Sequence, residues 1–309
     1  MRTASANPTG NALPPSTKDK AIIDAIELSG YPLQGVVTSK LLNLGFSAAE
    51  EWGYIDSDTN ENRALDVNGW KEIPADDQKR IRGDITLLIE CKRSVHPYVF
   101  FKKVADVGVP GFPVVASCPR IGLQDNHKST SIWPLSRLVC SNEMSFLQEP
   151  PLCSVFSQAD LQKDKAKLSG EEPYKSIILP LTKVVNYIED QWRGRGVYIK
   201  MLLLVCVVNS AMILVEAPNK TADPVLTPWI RIARQEAILK NTGWDGSHRH
   251  YAIDVVHVDF FDSFVRDKLM PFASEYFNRA SELSGIIGKG GLIEDLHAWK
   301  WGDKITPSH

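Results

Sequence analysis

The 309-residue chain sets Lys+Arg 35 against Asp+Glu 37, is 43% hydrophobic and 23% charged, and has a pI ≈ 6.4. That composition excludes disorder as the main state and permits one or two well-buried cores. A net charge of −2 excludes nucleic-acid binding by bulk charge, so any such surface has to be local.

Residues 1–17 are rich in Ser, Thr, Asn and Pro without the apolar stretch of a signal peptide, which predicts a disordered leader. From Lys18 to Leu28 the apolar Ala21, Ile22, Ala25 and Ile26 recur at helical spacing, and Gly30 with Pro32 ends the run. A second helix is predicted from Leu33 to Leu44, stopped by Gly45. Trp52 to Ile55 and Arg63 to Trp70 then read as strands around the turn-forming Asp56 to Glu61. Asp84 to Cys91 is apolar through its centre, as an interior strand is.

Val95 to Glu172 has prolines at 97, 110, 113, 119, 134, 150 and 151 and no sustained period, which predicts an irregular insertion at about 97–172. A long helix follows from Tyr174 to Trp192, with Pro180 as a kink or a true start. Met201 to Val215 falls short of the roughly 18 apolar residues of a membrane span. Its polar Asn209-Ser210 predicts a buried hairpin, Val197 to Val208 entering and Ala211 to Glu216 leaving. Trp229 to Arg234 and Tyr251 to His257 read as further strands, and Phe260 to Leu283 as a closing amphipathic helix. The whole predicts one α/β domain over 18–283, a central mixed sheet flanked by helices with a C-terminal helical extension, and a tail at 284–309.

The cysteines at 91, 118, 140, 153 and 206 lack zinc or redox spacing, and without a signal they point to a reducing, cytoplasmic compartment. His248-Arg249-His250 has no accompanying ligand spacing. GIIGKGG at 285–291 lacks the GxxxxGK[ST] pattern of a phosphate loop.

Chemistry concentrates on Asp66 and on Glu90-Cys91-Lys92. Alternation along a strand sets Glu90 and Lys92 on one face, about 7 Å apart, with Ile89 and Cys91 opposite. Charges at the end of an apolar strand are costly unless a metal, a phosphate or another ion partners them. With Asp66 from the neighbouring strand, two carboxylates make a hard oxygen site suited to Mg²⁺ or Mn²⁺, and Lys92 would assist attack by water on a phosphodiester. Asp84 lies six residues from Glu90, about 20 Å along the strand, and is expected to cap it instead.

Helix, hairpin bearing Asp66, strand bearing Glu90-x-Lys92, helix and strand together resemble the PD-(D/E)XK nuclease superfamily, the restriction-endonuclease-like fold. The resemblance covers Gly30 to Arg93 and, by order of elements alone, Tyr174 to Val208. It implies a Mg²⁺-dependent deoxyribonuclease in which Asp66 and Glu90 hold the metal, the backbone carbonyl of Cys91 completes its shell, and Lys92 is catalytic. Many members carry a Glu on the first core helix. Gln34 stands in the comparable place and is a candidate ligand, with Glu50 or Glu51 as alternative sources of charge.

Arg93, Lys102 and Lys103, just beyond the site, are expected to contact phosphates. So are Arg193 and Arg195, within a stretch that also holds Lys200, Lys220, Arg231, Arg234, Lys240 and Arg249. DNA is the expected partner, a homodimer or a partner subunit is compatible, and no membrane is expected. The alternative is a nucleic-acid-binding or regulatory module with the same fold and no turnover.

Overall fold

The computed structural model describes residues 6–14, 16–73, 82–102, 114–118, 120–124, 130–141, 144–162, 165–191, 198–216, 223–237, 248–283 and 292–293. Helices α1 (Asp19–Leu28) and α2 (Tyr31–Asn43) precede a meander of β1 (Ser47–Ile55), β2 (Asn62–Ile73) and β3 (Arg82–Arg93). Next come β4 (Tyr98–Lys102), β5 (Ala116–Cys118), β6 (Arg120–Gln124), β7 (Thr130–Pro134), α3 (Leu135–Val139), α4 (Ser145–Gln148), β8 (Leu152–Gln162) and β9 (Lys165–Ser169). Helix α5 runs through Glu171–Pro173, a π-helical stretch Tyr174–Ile178 and Leu179–Gln191. The chain continues with β10 (Tyr198–Asn209), β11 (Met212–Glu216), β12 (Asp223–Leu226), β13 (Trp229–Ala237) and β14 (His248–His257). Helix α6 comprises Phe261–Ser263, a π-helical stretch Phe264–Leu269 and Met270–Glu282, and β15 (Leu292–Ile293) follows.

Most strands join one 12-stranded mixed sheet in the order β1-β2-β3-β10-β14-β13-β8-β4-β11-β12, with β5 on β10 and β9 on β8. The interior strands β3, β10 and β14 run parallel to one another. They are apolar on both faces because helices cover both. On one face Val37, Leu41, Phe264, Phe272 and Tyr276 of α2 and α6 pack on Ile85, Leu87 and Ile89 of β3. On the other, Ile177, Leu181, Val184 and Ile188 of α5 pack on Leu88, Leu202 and Leu204. Gly83 is where β3, β10 and α6 crowd together. A Cβ there would sit 2.4 Å from the Ile199 carbonyl oxygen and 2.4 Å from the Phe277 ring.

Three expectations are corrected. The described residues of the stretch at 97–172 are largely regular: β4 and β8 pair over Tyr98↔Gln158 to Lys102↔Cys153 and extend the main sheet. Its described prolines fall where they cost no ladder bond, Pro97 before β4, Pro134 at the end of β7 and Pro150-Pro151 before β8. Pro110, Pro113 and Pro119 lie outside the described residues. The hairpin across Asn209-Ser210 does not form either. Both edges of β10 are taken by β3, β14 and β5, so β11 crosses to pair with β4 and β12. The helix at Phe260 to Leu283 is part of the core rather than an extension, with Phe261, Leu269, Ala273 and Tyr276 wholly buried.

Helix α5 continues through Pro180 without breaking. Its π-helical stretch ends two residues before that proline, and α6 repeats the arrangement before Pro271. Proline cannot donate to the preceding turn and its ring crowds the carbonyl four residues back, and a widened turn relieves both. Among the described residues, no helix is long and apolar enough to cross a membrane.

Candidate functional site

The site begins with an irregularity in the meander. β1 and β2 pair from Ser47↔Trp70 to Ile55↔Asn62, yet Glu51 and Asp66, which face each other in that register, form no ladder pair. Glu51 sits at φ 49°, in the left-handed region that a residue with a side chain seldom occupies. Such a conformation costs about 1–3 kcal/mol and persists only where its surroundings enforce it. The strands change faces here: Ala48 and Val67 pack with the α2 layer, whereas Trp52, Tyr54 and Leu65 pack with the α5 layer. Asp66 lies at the crossing. The β2–β3 ladder also stops one pair short of it, at Val67↔Ile89.

The Asp66 carboxylate replaces the missing ladder. Cys91 N–H donates to its Oδ2 at 2.7 Å, and Gln34 Nε2, reaching from α2, donates to its Oδ1 at 2.8 Å. Lys92 Nζ donates to Glu90 Oε2 at 2.7 Å and lies 3.6 Å from Asp66 Oδ2. The structure thus brings together Asp66, Glu90, Lys92, Cys91 and Gln34. Glu90 and Lys92 share the α5 face while Ile89 and Cys91 pack on the other, as alternation along β3 requires.

Glu90 is only 3% exposed. Burial raises its carboxyl from 4.5 to about 8; Lys92 opposes that shift and the neighbouring Asp66 carboxylate adds to it. Burial disfavours the Lys92 ammonium, but Glu90 and Asp66 together hold its pKa above the ordinary lysine value.

Two clefts open here. The first, about 370 Å³, is lined by Gly30, Gln34, Asp66, Cys91, Arg93 and Gln158 among others. The second, about 390 Å³, is lined by Tyr54, Arg63, Glu90, Lys175, Lys183 and the floor they share. Asp66, Lys92 and Ser176 belong to both. Gly30 caps α2 with φ 84°, and a Cβ there would stand 3.9 Å from the Cys91 carbonyl oxygen.

Two carboxylates and a backbone carbonyl are hard oxygen donors of the kind Mg²⁺ and Mn²⁺ take, with water and substrate filling the remaining positions. Among the described residues no group of three or more His, Cys, Asp or Glu could hold a metal ion by itself. The donor set fits an open, water-rich Mg²⁺ site and not a closed structural one.

Arg93 lines the first cleft and pairs with Glu27 of α1 at 3.3 Å. Lys102 ends β4, is not among the residues lining either cleft, and pairs with Glu216 at 2.5 Å. Lys103, Arg193 and Arg195 lie outside the described residues, as do Lys220, Lys240 and 285–291. Two cations read as surface groups are buried. Lys200 binds Asp84, and Arg231 makes a two-pronged pair with Asp254 at 2.9 and 3.2 Å while donating to the Phe146 carbonyl at 3.0 Å. Both belong to the core. Asp84 is no strand cap: Lys200 Nζ reaches both its oxygens at 2.8 Å and the Tyr198 hydroxyl donates to it at 2.8 Å. Glu50 and Glu51 are exposed and line neither cleft.

Sequence reasoning missed Tyr54, Arg63, Lys175, Ser176, Lys183 and Gln158. The polar side of α5 carries three of them at helical spacing, a signal present in the sequence but read only for its apolar side. Gln158 had no such signal, because the strand that carries it falls within the stretch read as irregular. No protein-family model, curated protein or solved structure matches the chain.

Proposed function

We propose that the chain is a metal-dependent nuclease of the PD-(D/E)XK type that hydrolyses phosphodiester bonds in DNA. The observation that carries this reading is the meeting of Asp66, Glu90 and Lys92 where two clefts join, with Glu90 buried and its carboxyl raised to about 8. The order α2, β1, β2, β3 and then, after the β4 to β9 stretch, α5 and β10 supports it, since helix, three strands, helix and strand is the order this family's core takes.

In this reading Asp66, Glu90 and the Cys91 carbonyl would hold Mg²⁺ or Mn²⁺, which would supply polarisation of the phosphate and a lowered pKa for a bound water. Gln34 and the Cys91 N–H fix the Asp66 carboxylate, so that its orientation is set before substrate arrives. Lys92, held on Glu90 and beside Asp66, would supply positive charge to stabilise the negative charge that develops on the phosphate oxygens.

One observation favours a second reading, a nucleic-acid-binding module without turnover. Gln34 is neutral and donates to Asp66 where many members supply a further carboxylate. The experiment that separates the two is cleavage of circular and linear, single- and double-stranded DNA with Mg²⁺ or Mn²⁺, comparing the native chain with Glu90→Ala and Lys92→Ala. Cleavage lost in both variants and in EDTA supports the nuclease. Binding without metal-dependent cleavage supports the module.

A further inference from the structure

The second cleft holds more cationic groups than the carboxylates at its floor require. Arg63 on β2, together with Lys175 and Lys183 on α5, lines it beside Lys92. Beneath them Asp56 is fully buried. Arg63 Nε donates to its Oδ2 at 2.7 Å, Lys183 Nζ donates to the same oxygen at 2.5 Å, and the Asp58 N–H donates to Oδ1 at 3.0 Å. One buried anion thereby holds two cations from different elements at the cleft wall, and their further partners are surface acids, Asp58 3.4 Å from Lys183 and Glu61 3.4 Å from Arg63. The other acids nearby, Asp58, Glu61 and Glu171, have side chains 76%, 67% and 75% exposed. Exposed pairs of that kind contribute little and yield readily to a phosphate with several acceptor oxygens.

The first cleft is differently built. Its lining has Arg93 together with Glu172, Gln34 and Gln158. Because the clefts share Asp66, Lys92 and Ser176, a strand lying through both would cross the carboxylates in passing.

We infer that Arg63, Lys175 and Lys183 form a phosphate subsite that grips the nucleic-acid backbone to one side of the scissile phosphate, with Asp56 as the residue that positions Arg63 and Lys183. This rests on the nuclease reading for its substrate. It assigns the three cations a task that the hydrolytic site itself does not use, and it makes the grip one-sided. The cations come from β2 and α5, so the subsite also spans the joint between the sheet and its covering helix.

The test is fluorescence anisotropy of the full chain with labelled twelve-nucleotide DNA, single-stranded and duplex, titrated with salt in EDTA so that no cleavage intervenes. Arg63→Gln and Lys183→Met should each weaken binding three- to tenfold and reduce the slope of log K against log salt by about 1. Lys175→Ala should act in the same direction, more weakly because that side chain is exposed. Lys165→Ala, on β9 and in neither cleft, removes the same charge and should leave binding unchanged. Asp56→Asn, with folding checked by thermal melting, should weaken binding although it removes a negative charge; a merely electrostatic role would strengthen it.

Native-like affinity and slope in both Arg63→Gln and Lys183→Met overturn the subsite, as does loss no greater than in Lys165→Ala. Metal-dependent cleavage that survives with unchanged binding in those variants would leave the nuclease standing without the subsite. Binding that depends on Arg63 and Lys183 in a chain that never cleaves would leave the subsite standing without the nuclease.

Discussion

The two ends of β3 carry the same pair of charges in opposite settings. At its start Asp84, 4% exposed, takes Lys200 on both oxygens and accepts from Tyr198 and from Thr86 at 2.5 Å. Each charge there is matched by side chains that the core holds in place. At its end Glu90 is buried as deeply, 3% exposed, but its ion pair with Lys92 adjoins a second carboxylate, Asp66, and opens into two clefts. The first arrangement is closed and supports the fold; the second sets two carboxyl groups beside one lysine and opens to the surface. Buried charge alone therefore does not mark a functional site. Excess charge of one sign, beside a cleft, is the better signal.

The comparison yields predictions of decreasing size. Glu90→Gln or Lys92→Ala should reduce metal-dependent cleavage at least about a hundredfold with the fold intact by circular dichroism. Asp84→Ala should do the reverse, destabilising the chain by about 3–5 kcal/mol in urea because it strands the Lys200 ammonium in the core.

Opposite pH responses separate the Glu90 carboxyl, raised by burial, from the Asp56 carboxyl, lowered by the groups that donate to it. Glu90 titrates at about 8 in the folded chain against 4.5 when unfolded. Between those values the folded chain keeps a proton that the unfolded chain has lost, so Glu90 lowers stability as pH rises from 4.5 through about 8. Glu90→Gln should therefore melt higher than the native chain at pH 9 in EDTA, with the difference fading below pH 5. Asp56 has the opposite sign. Burial pushes its carboxyl up, but hydrogen bonds from Lys183, the Asp58 N–H and Arg63 outweigh that and hold it at about 2 against the usual 3.8. Its stabilisation is present above 3.8 and is lost as pH falls toward 2, so Asp56→Asn should flatten that part of the acid unfolding profile.

The smallest effect belongs to the left-handed turn in β1. Glu51→Gly relieves its steric cost and should stabilise the chain by up to about 1 kcal/mol, with Asp66 still in place. A loss of stability would mean that the Glu51 side chain makes the break in the ladder.

Much of the site was legible because its charges interrupt otherwise apolar strands. ITLLIE can be read as an interior strand and Glu90-x-Lys92 as one face of it, from period two alone. The interruption at Asp66 was not legible. It depends on Glu51 adopting a conformation that no composition rule assigns to glutamate. Nor was the pairing of β11 with β4 readable, since apolar runs around Asn209-Ser210 suit a hairpin until the neighbours of β10 are known. Lys200 and Arg231 misled for a related reason: a charge in sequence reads as surface unless its buried partner, here Asp84 or Asp254, is already in view.

The most direct measurement is Mn²⁺ binding followed by electron paramagnetic resonance at pH 8.5 in the native chain, Glu90→Gln and Asp84→Asn. The account predicts a bound Mn²⁺ signal in the native chain that Glu90→Gln removes and that folded Asp84→Asn retains. Absence of bound Mn²⁺ in the native chain, or equal binding in Glu90→Gln, would contradict it.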